Sequence, residues 1–426
     1  MPPAMAFEAT KVFAAAQTAR DPLLGFRERF HVPKLANGSD CVYLCGHSLG
    51  LQPKSAREYV EQELEDWARL GVEAHFQARN PWMPYHELLS APISRLVGAL
   101  AFEVVVMNSL TVNLHLMMVS FYRPSAKRNK ILIESNAFPS DQYAVKSQIQ
   151  YHGYNPAEAL IELKPRAGET WIRTEDIEEL IAREGDKIAV IMLGGVNYYS
   201  GQAFDFRRIT EAGHAKGCVV GFDMAHAAGN LPLKLHGWDI DFAVWCSYKY
   251  LNAGPGAIAG CFVHERQARN FQLPRFAGWW GHDKGNRFRM PPDFAAIPGA
   301  EGWQLSNPSI LSAAALRASL DIFDEATMQR LRAKSELLTG YLEFLLDQPS
   351  SKNFSIITPR DSGHRGAQLS LRVSENGRAV CDTLAKEGII CDWREPDIMR
   401  VAPVPLYNTF SDVHTFAEKF LAATRS

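Results

Sequence analysis

The chain has 426 residues, 46% of them hydrophobic and 22% charged, which is typical of a globular protein long enough for two domains. The formal charge of −2 gives no reason to expect nucleic acid or an anionic membrane as a partner. No apolar run approaches the roughly 20 residues that span a bilayer. The Ala-rich start lacks the order of a secretory or transit signal, so we expect a cytoplasmic protein. The seven cysteines are scattered without a Cys-x-x-Cys pair, so we expect neither a disulfide framework nor a metal site.

The first strong element is a helix predicted from Lys54 to Leu70, with Pro53 near its first turn and Gly71 at its C-terminal stop. From about residue 100, apolar runs alternate with helical patterns. The predicted strands are 104–107, 131–134, 188–193 and 218–222, and the predicted helices are 111–121, 141–152 and 209–216. This alternation predicts an α/β fold, with a mostly parallel central sheet and helices on both faces.

After Asn307 the pattern changes. A long helix is predicted from Pro308 to Ala326 and another to about Leu346. Apolar runs follow at 354–357, 368–373 and 388–391, and a last helix begins at Ser411. Separate runs of helix and strand indicate a smaller α+β domain. We therefore predict three parts, an N-terminal arm and helix (1–70), a large α/β domain (71–310) and a small C-terminal α+β domain (311–426).

The segment 218–256 carries the most specific chemistry. Its two apolar runs, Cys218–Phe222 and Phe242–Cys246, are predicted to be buried parallel strands. The first run ends at Asp223, and Lys249 follows just beyond the second. In open α/β sheets, ligands bind outside the carboxyl ends of the strands. A lysine and a carboxylate at that edge suit pyridoxal phosphate (PLP), which needs an amine for a Schiff base and an acid partner for its pyridinium nitrogen.

Each of these residues also has a simpler structural explanation. Lys249 is also consistent with a snorkelling surface lysine, and Asp223 with a cap on the short segment 224–228. His226 is consistent with a group that fixes the carboxylate or touches the ring, or with a satisfied structural histidine. The nearly uncharged run before Lys249 favours the chemical interpretation, because a poorly solvated amine is the kind that forms imines.

Two further turns follow predicted strands. Asn108-Ser109-Leu110-Thr111 precedes a helix, whose free N–H groups and positive end favour an anion such as a phosphate, although serine and threonine cap most helices. Phe138-Pro139-Ser140-Asp141 follows the next strand, where Phe138 would either stack on a flat cofactor or pack in the core. The glycine-rich run 254–260 is off by one from the dinucleotide fingerprint and precedes a strand, so we reject a nucleotide site there.

Several longer runs match one family. They are Phe-Pro-Ser-Asp (138–141), Gly-Phe-Asp-Met-Ala-His (221–226), Trp-Cys-Ser-Tyr-Lys-Tyr-Leu-Asn-Ala-Gly (245–254) and Arg-Val-Ala-Pro-Val-Pro-Leu-Tyr-Asn (400–408). Residues 45–54 and 110–116 agree as well. Together these runs resemble the kynureninases, PLP-dependent hydrolases of tryptophan catabolism with the fold-type-I aminotransferase architecture. The resemblance extends from about residue 40 to 415, and it departs at His47, where the family often has asparagine.

The resemblance implies a role for each matching position. Lys249 would form the Schiff base with PLP and then abstract the substrate Cα proton, Asp223 would pair with the pyridinium, and Arg400 would receive the substrate α-carboxylate. The other implied cofactor contacts are Leu110, Thr111, Phe138, Pro139, Ser140, Asp141, His226, Tyr248, Trp279 and Asn307. The implied substrate contacts, besides Arg400, are His75 and Asn307. Some of these residues would come from the second subunit of a homodimer.

The implied reaction is the hydrolytic cleavage of the Cβ–Cγ bond of L-kynurenine, or of its 3-hydroxy analogue, to anthranilate (or 3-hydroxyanthranilate) and L-alanine. Tyr248 is a candidate proton donor to Cβ. Arg400 has a structural alternative, an ion pair with Glu395 or Asp397, and Arg372 is a rival carboxylate binder. Trp279 is also consistent with packing or a dimer contact.

Other functions remain open at this point. A cysteine desulfurase or an aminotransferase would share the fold and the central lysine and aspartate. A desulfurase needs a reactive cysteine on a flexible loop, whereas Cys218, Cys246 and Cys261 lie in apolar runs. An inactive binding protein derived from the fold is the alternative of a different class, and the retention of Lys249 and Asp223 speaks against it.

Overall fold

The computed structural model describes residues 6–135, 137–349 and 353–425. Within them, the strands form two larger sheets and two short two-stranded ones. In chain order the strands are β1 (Phe30–His31), β2 (Val42–Tyr43), β3 (Gln52–Pro53), β4 (Val104–Val106), β5 (Lys130–Glu134), β6 (Leu160–Leu163), β7 (Ile188–Gly194), β8 (Val219–Asp223), β9 (Phe242–Trp245), β10 (Gly260–Val263), β11 (Phe354–Ile356), β12 (Leu369–Val373), β13 (Ile389–Ile390), β14 (Asp392–Arg394) and β15 (Ile398–Val401).

The α-helices lie mainly between the strands and at the C-terminus. They are α1 (Lys11–Ala19), α2 (Leu24–Arg27), α3 (Ala56–Leu70), α4 (Ala74–Gln77), α5 (Glu87–Val97), α6 (Leu110–Phe121), α7 (Pro139–Tyr151), α8 (Pro156–Ala159), α9 (Thr174–Glu184), α10 (Phe206–Ala215), α11 (Glu265–Ala268), α12 (Ile310–Ala326), α13 (Met328–Asp347), α14 (Gly377–Lys386) and α15 (Phe410–Ala423). Over the described ranges, no helix is both long and apolar enough to cross a bilayer.

The large sheet has seven strands in the order β4-β10-β9-β8-β7-β5-β6. The pairings from β9 to β6 are parallel, whereas β10 is antiparallel to both β9 and β4. The predicted mostly parallel sheet is confirmed, with one reversed strand. The reversal has a local cause, because the segment 246–259 contains no helix that would carry the chain back across the sheet.

Helices cover both faces of this sheet, as predicted. Because side chains alternate along a strand, Phe242 and Val244 pack into one apolar cluster with α6 and α7. Ala243 and Trp245 point the other way, into a second cluster with α5, α9, α10 and α12. Each strand is thus buried on both faces, which explains why the predicted strands are continuously apolar in the sequence.

The predicted elements of this region begin and end within three residues of the observed ones. Several elements of this region were not predicted; they are α4, α5, α8, α9, α11 and β6. Strand β6 is an edge strand with Glu162 exposed in its middle. Helix α9 is largely charged, and Ile177 and Ile181 are its only buried apolar residues. Both elements lack the long apolar pattern on which the prediction depended.

The second sheet is antiparallel, in the order β11-β12-β15-β14. It packs on α13 and α15 through a third apolar cluster. The predicted runs 354–357 and 368–373 form β11 and β12, but only Ile389 and Ile390 of the run 388–391 form a strand, and that strand joins another sheet. Helix α12 packs against α3 and α5 of the large region, and a domain boundary near residue 310 stays a prediction.

The segment before α3 is tied to distant parts of the chain. Strand β2 pairs with β13 in parallel, and Ala402 N donates to Leu44 O at 2.9 Å. A few residues further on, Gly50 N donates to Tyr248 O at 2.8 Å. A side chain at Gly50 would collide with the carbonyl oxygen of Lys249, so only glycine permits this approach. The amino-terminal segment thus braces the turn that carries Lys249.

Close packing inside the large sheet makes one glycine critical for stability. Gly260 pairs with Trp245 across β10 and β9, and a Cβ at Gly260 would overlap the indole ring. We expect Gly260→Ala to lower the free energy of unfolding by about 1–3 kcal/mol, because the buried indole must shift. Urea denaturation measures the change. Gly25→Ala is the matched control, since no atom lies within 4 Å of its Cβ, and an equal loss in both variants would contradict the expectation.

Candidate active site

A cavity opens at the carboxyl ends of the parallel strands, where ligands bind in open α/β sheets. Glu134, Gly194 and Asp223, the last residues of β5, β7 and β8, form its base. The complete lining is Leu110, Thr111, Glu134, Phe138, Ser140, Asp141, Gly194, Val196, Tyr198, Asp223, Ala225, His226, Tyr248 and Lys249. The structure therefore brings Lys249 and Asp223 to one cavity, together with most of the cofactor contacts that the resemblance implied.

The amine of Lys249 lies inside this cavity. Its Nζ is 3.2 Å from Nε2 of His226 and 5.8 Å from the centroid of the Phe138 ring. Phe138 is 43% exposed, which is unusual for a large aromatic residue beside a sheet. Its ring packs edge-on against Tyr198, with the centroids 5.1 Å apart. Phe138 thus borders the cavity instead of packing in the core, and Lys249 is not a snorkelling surface lysine.

Three buried carboxyl groups surround the base of the cavity. Burial raises the pKa of Asp223, which the charge of Lys249 and a hydrogen bond from Ala225 N (2.7 Å) lower in turn. Burial and the charge of Asp223 raise the pKa of Asp141 well above its usual range. Asp141 therefore keeps its proton and donates a hydrogen bond to Asp223, which carries the negative charge. The helix-cap alternative for Asp223 fails, because residues 224–228 form no helix.

The N-terminus of α6 supplies the anion-binding side. Asn108 adopts a left-handed φ of 47° and turns the chain from β4 into the helix. Asn113 holds this turn, because it accepts from Asn108 Nδ2 at 3.0 Å and donates to Met107 O at 2.9 Å. The first N–H groups of a helix have no partner inside the helix. Leu110 and Thr111, the first two helical residues, line the cavity, so their N–H groups and the helix dipole favour an anion there.

These groups fit PLP on the chemistry of the donor set. An amine, an acid, an aromatic face and a helix N-terminus surround one cavity, matching the aldehyde, the pyridine nitrogen, the ring and the phosphate of the cofactor. Two buried atoms here, Asp141 Oδ1 and His226 Nδ1, have no hydrogen-bond partner among the described residues. Buried polar atoms are normally paired, so these two indicate a polar ligand.

Five of the implied residues do not line the cavity of this chain, and Arg400 is one of them. His75 is half-buried, with Nδ1 2.9 Å from Val72 O. Trp279 is 40% exposed and donates from Nε1 to Arg287 O at 3.2 Å. Asn307 is exposed on the segment before α12, and Pro139 opens α7 without facing the cavity.

Arg400 does not line the cavity itself but contacts a residue that does. Its Nη1 donates to Tyr198 O at 3.0 Å, and Tyr198 lines the cavity. Its Nη2 contacts the carboxylate of Asp392, its cross-strand partner on β14. The predicted ion pair with Glu395 or Asp397 is therefore wrong. Asp397 pairs with Arg372 at 3.1 Å, so Arg372 already has a counter-ion.

Sequence reasoning missed several residues at or near the site. Glu134 ends a buried apolar strand, which is the same signal that identified Asp223. Asp392 is identified only through the register of β14 and β15, which the sequence does not supply. His47 lies in a loop to which no chemistry was assigned, yet it is fully buried, with its ring centroid 6.3 Å from that of His226.

The sequences of known proteins match this chain over nearly its whole length. Residues 331–420 match the family profile described as "Kynureninase C-terminal domain". The chain is 66% identical over 419 residues to a kynureninase of Koribacter versatilis (98% of this chain, 99% of that protein). It is 61% identical over 412 residues to a kynureninase of Myxococcus xanthus (97% of each). The chain belongs to the kynureninase family. The family that the sequence motifs indicated is confirmed.

Solved structures with much lower identity share the fold of this kynureninase family member. The cysteine desulfurase CsdA of Escherichia coli superposes with a TM-score of 0.77 at 18% identity, over 95% of this chain and 98% of that one. A C-DES mutant with glycine covalently linked to its PLP cofactor gives a TM-score of 0.78 at 16% identity, over 92% and 98%. These similarities confirm the fold-type-I architecture. At such identities they show the fold alone, so they lend no support to a desulfurase function.

The pKa of Glu134 gives this site a stability signature. Burial raises that pKa from its ordinary value of 4.5 to about 7. The folded chain therefore holds the proton more tightly than the unfolded chain, and the stability that this adds below pH 4.5 is lost as the pH rises through 7. We expect Glu134→Gln to remove this loss and to raise the free energy of unfolding at pH 8 by on the order of 1–3 kcal/mol. Denaturation at pH 5 and pH 8 tests it, with the exposed Glu162→Gln as control; equal pH responses of wild type and Glu134→Gln would contradict it.

Proposed function

We propose that this chain is a PLP-dependent hydrolase that cleaves L-kynurenine, or 3-hydroxy-L-kynurenine, to anthranilate or 3-hydroxyanthranilate and L-alanine. The observation that carries the proposal is the meeting of Lys249 and Asp223 at one cavity in a chain that is 66% identical to a kynureninase over nearly its full length. A cytoplasmic location remains a prediction from the sequence.

Several residues of the cavity have a task in the proposed reaction. Bound PLP supplies an electron sink that stabilises negative charge next to the substrate amine. Lys249 Nζ would hold the cofactor covalently and would take the proton from the substrate Cα. Asp223 would be the acid partner of the pyridine nitrogen, and protonated Asp141 would support its negative charge by hydrogen bonding. Leu110 and Thr111 would hold the phosphate, and Phe138 would be the aromatic contact of the ring.

Tyr248 follows from the same geometry as the proton donor to Cβ. It lines the cavity next to Lys249, and burial raises the pKa of its phenol, so the group keeps its proton at neutral pH. We expect Tyr248→Phe to lower kcat by about 10²-fold or more, because a positioned acid contributes that much. Steady-state kinetics measures the effect. An unchanged kcat would remove Tyr248 from this role, and Tyr250→Phe, a buried tyrosine that does not line the cavity, is the control.

The decisive experiment is turnover of L-kynurenine. The purified protein is incubated with L-kynurenine, with and without added PLP, and anthranilate is followed by its fluorescence. The same is done with 3-hydroxykynurenine, to establish which substrate is preferred. Release of alanine from cysteine, with no aromatic acid from either kynurenine, would instead favour a cysteine desulfurase.

The residues that do not reach the cavity support the proposal of a homodimer with shared active sites. Trp279 lies among other exposed apolar residues, including Phe276 (53% exposed), Phe288 (55%) and Met290 (66%). An exposed apolar patch of this kind is typical of a protein interface, and we assign it to a second copy of the chain. His75, Trp279 and Asn307 would then complete the partner's site. Mixing Lys249→Ala with Asn307→Ala protein tests this, since subunit exchange would restore activity only if the sites are shared.

A further inference from the structure

One acidic and one basic side chain near the cavity form an ion pair between neighbouring strands. Asp392 on β14 and Arg400 on β15 face each other in the sheet, and Oδ2 of Asp392 contacts Nη2 of Arg400. The side chains are 10% and 2% exposed. Arg400 Nη1 donates to Tyr198 O, and Nε is buried with no partner in the described part of the chain. The Nε of Arg400 is thus free to donate a further hydrogen bond.

His47 lies on the other side of the same carboxylate. Its Nε2 is 3.7 Å from Oδ2 of Asp392, beyond hydrogen-bond distance. The ring is fully buried, and neither nitrogen has a hydrogen-bond partner within the residues that the structure describes. An unpaired buried imidazole is costly, so His47 is poised for a partner that is not in place in this state.

We propose that Asp392 and His47 are positioning residues that allow Arg400 to exchange one carboxylate for another. Without substrate, Asp392 occupies the guanidinium. When the substrate α-carboxylate arrives, it binds Nη2 and the spare Nε, and Asp392 moves the short distance to a hydrogen bond with His47. This inference rests on the proposed role of Arg400 in the proposed function.

The exchange keeps every buried charge compensated. A guanidinium that is 1% exposed is strongly destabilised without a counter-ion, so a carboxylate has to be present before the substrate binds. In the structure, Nη2 of Arg394 also lies 3.1 Å from Oδ2 of Asp392. Asp392 keeps this ion pair after the exchange. Burial and the positive charges of Arg400 and Lys249 lower the pKa of His47 well below its usual value. His47 is therefore neutral and donates through one N–H, so the exchange requires no proton.

Asp392→Asn distinguishes this exchange from a purely structural role by the sign of its effect. If Asp392 competes with the substrate for Arg400, its neutralisation lowers KM for L-kynurenine, by about tenfold, with little change in kcat. If Asp392 only supports the shape of the site, KM rises. Asp397→Asn is the matched control, since it breaks the other Arg–Asp pair of the same sheet, with Arg372, and we expect no change in KM.

His47→Leu has the opposite expected effect, because it removes the group that receives Asp392. We expect KM to rise about tenfold, and His47→Asn, which keeps an N–H donor, to restore KM to within a few fold of the wild type. In the double variant Asp392→Asn/His47→Leu, KM should equal that of Asp392→Asn, because His47 acts only through Asp392. Additive effects in the double variant would overturn the proposal, as would a higher KM in Asp392→Asn.

A ligand without an α-carboxylate tests whether the changes in KM act through Arg400. Kynuramine, the amine that kynurenine gives on decarboxylation, has no α-carboxylate for Arg400. Its inhibition constant should be the same in the wild type and in all these variants, and a parallel shift with KM would overturn the proposal. Failure of the wild type to hydrolyse kynurenine at all would instead contradict the proposed function, so the two failures are distinguishable. Circular dichroism confirms that each variant is folded.

Discussion

Lys249→Ala is expected to lower kcat for L-kynurenine by more than about 10⁴-fold, the largest effect of any single substitution in this chain. The reason is that the proposed function gives one amine two tasks, the covalent attachment of the cofactor and the proton transfer at Cα. The variant should also lose the visible absorbance of covalently bound PLP, which is measured independently of turnover.

The control for this variant is Lys234→Ala, which removes an exposed lysine from the same stretch of chain. It should keep both activity and absorbance. Retained turnover in Lys249→Ala would exclude Lys249 as the reacting amine, because no other lysine lines the cavity in the described ranges. Turnover without the absorbance would show that the cofactor acts without a covalent link to the protein.

Asp223→Asn is expected to lower kcat by at least about 10²-fold, because the charge that keeps the pyridine nitrogen protonated is lost. The same change should leave the free energy of unfolding of the cofactor-free protein equal or higher. Burial is the main cause that raises the pKa of Asp223, so its charge is costly to bury, and asparagine removes this desolvation cost while it keeps an oxygen for Ala225 N. Kinetics and urea denaturation on the same preparations measure the two effects.

The opposite signs make this prediction specific. A substitution that merely damages the fold lowers both activity and stability, whereas a functional charge that is costly to bury lowers activity alone. The exposed Asp186→Asn is the control, and it should change neither quantity. A clear loss of stability in Asp223→Asn would mean that the carboxylate is structural. Unchanged kcat would remove it as the partner of the cofactor.

The large sheet was predictable because its strands are buried on both faces, so the sequence shows continuous apolar runs such as 188–193 and 242–246. Two of the elements that were missed, the edge strand β6 and the charged helix α9, have little apolar surface to bury. The sequence pattern also did not predict that β10 runs antiparallel to its neighbours. An apolar run indicates a strand but does not give its direction, which depends on how the connecting segment crosses the sheet.

The candidate site was predictable where one rule applies, that polar residues following buried parallel strands meet at one edge. This rule brings together Asp223, Lys249, Phe138 and Thr111. It does not extend to contacts set by antiparallel register, which is why Asp392 was missed and the partner of Arg400 was predicted wrongly. It also gives no information on a loop such as that of His47, whose burial depends on contacts with residues hundreds of positions away.

The bracing of the Lys249 turn by the amino-terminal segment has a consequence for biosynthesis. Residues 42–50 leave the ribosome early, but their hydrogen-bond partners at Tyr248, Ile390 and Ala402 are translated much later. Leu44 must therefore wait, without its partners Ile390 and Ala402, until almost the entire polypeptide has been made, and such long-range pairing is slow to form. A nascent chain that stalls before residue 390 would contain both Gly50 and the Lys249 turn, but the segment that braces this turn would lack its pairing with the C-terminal region.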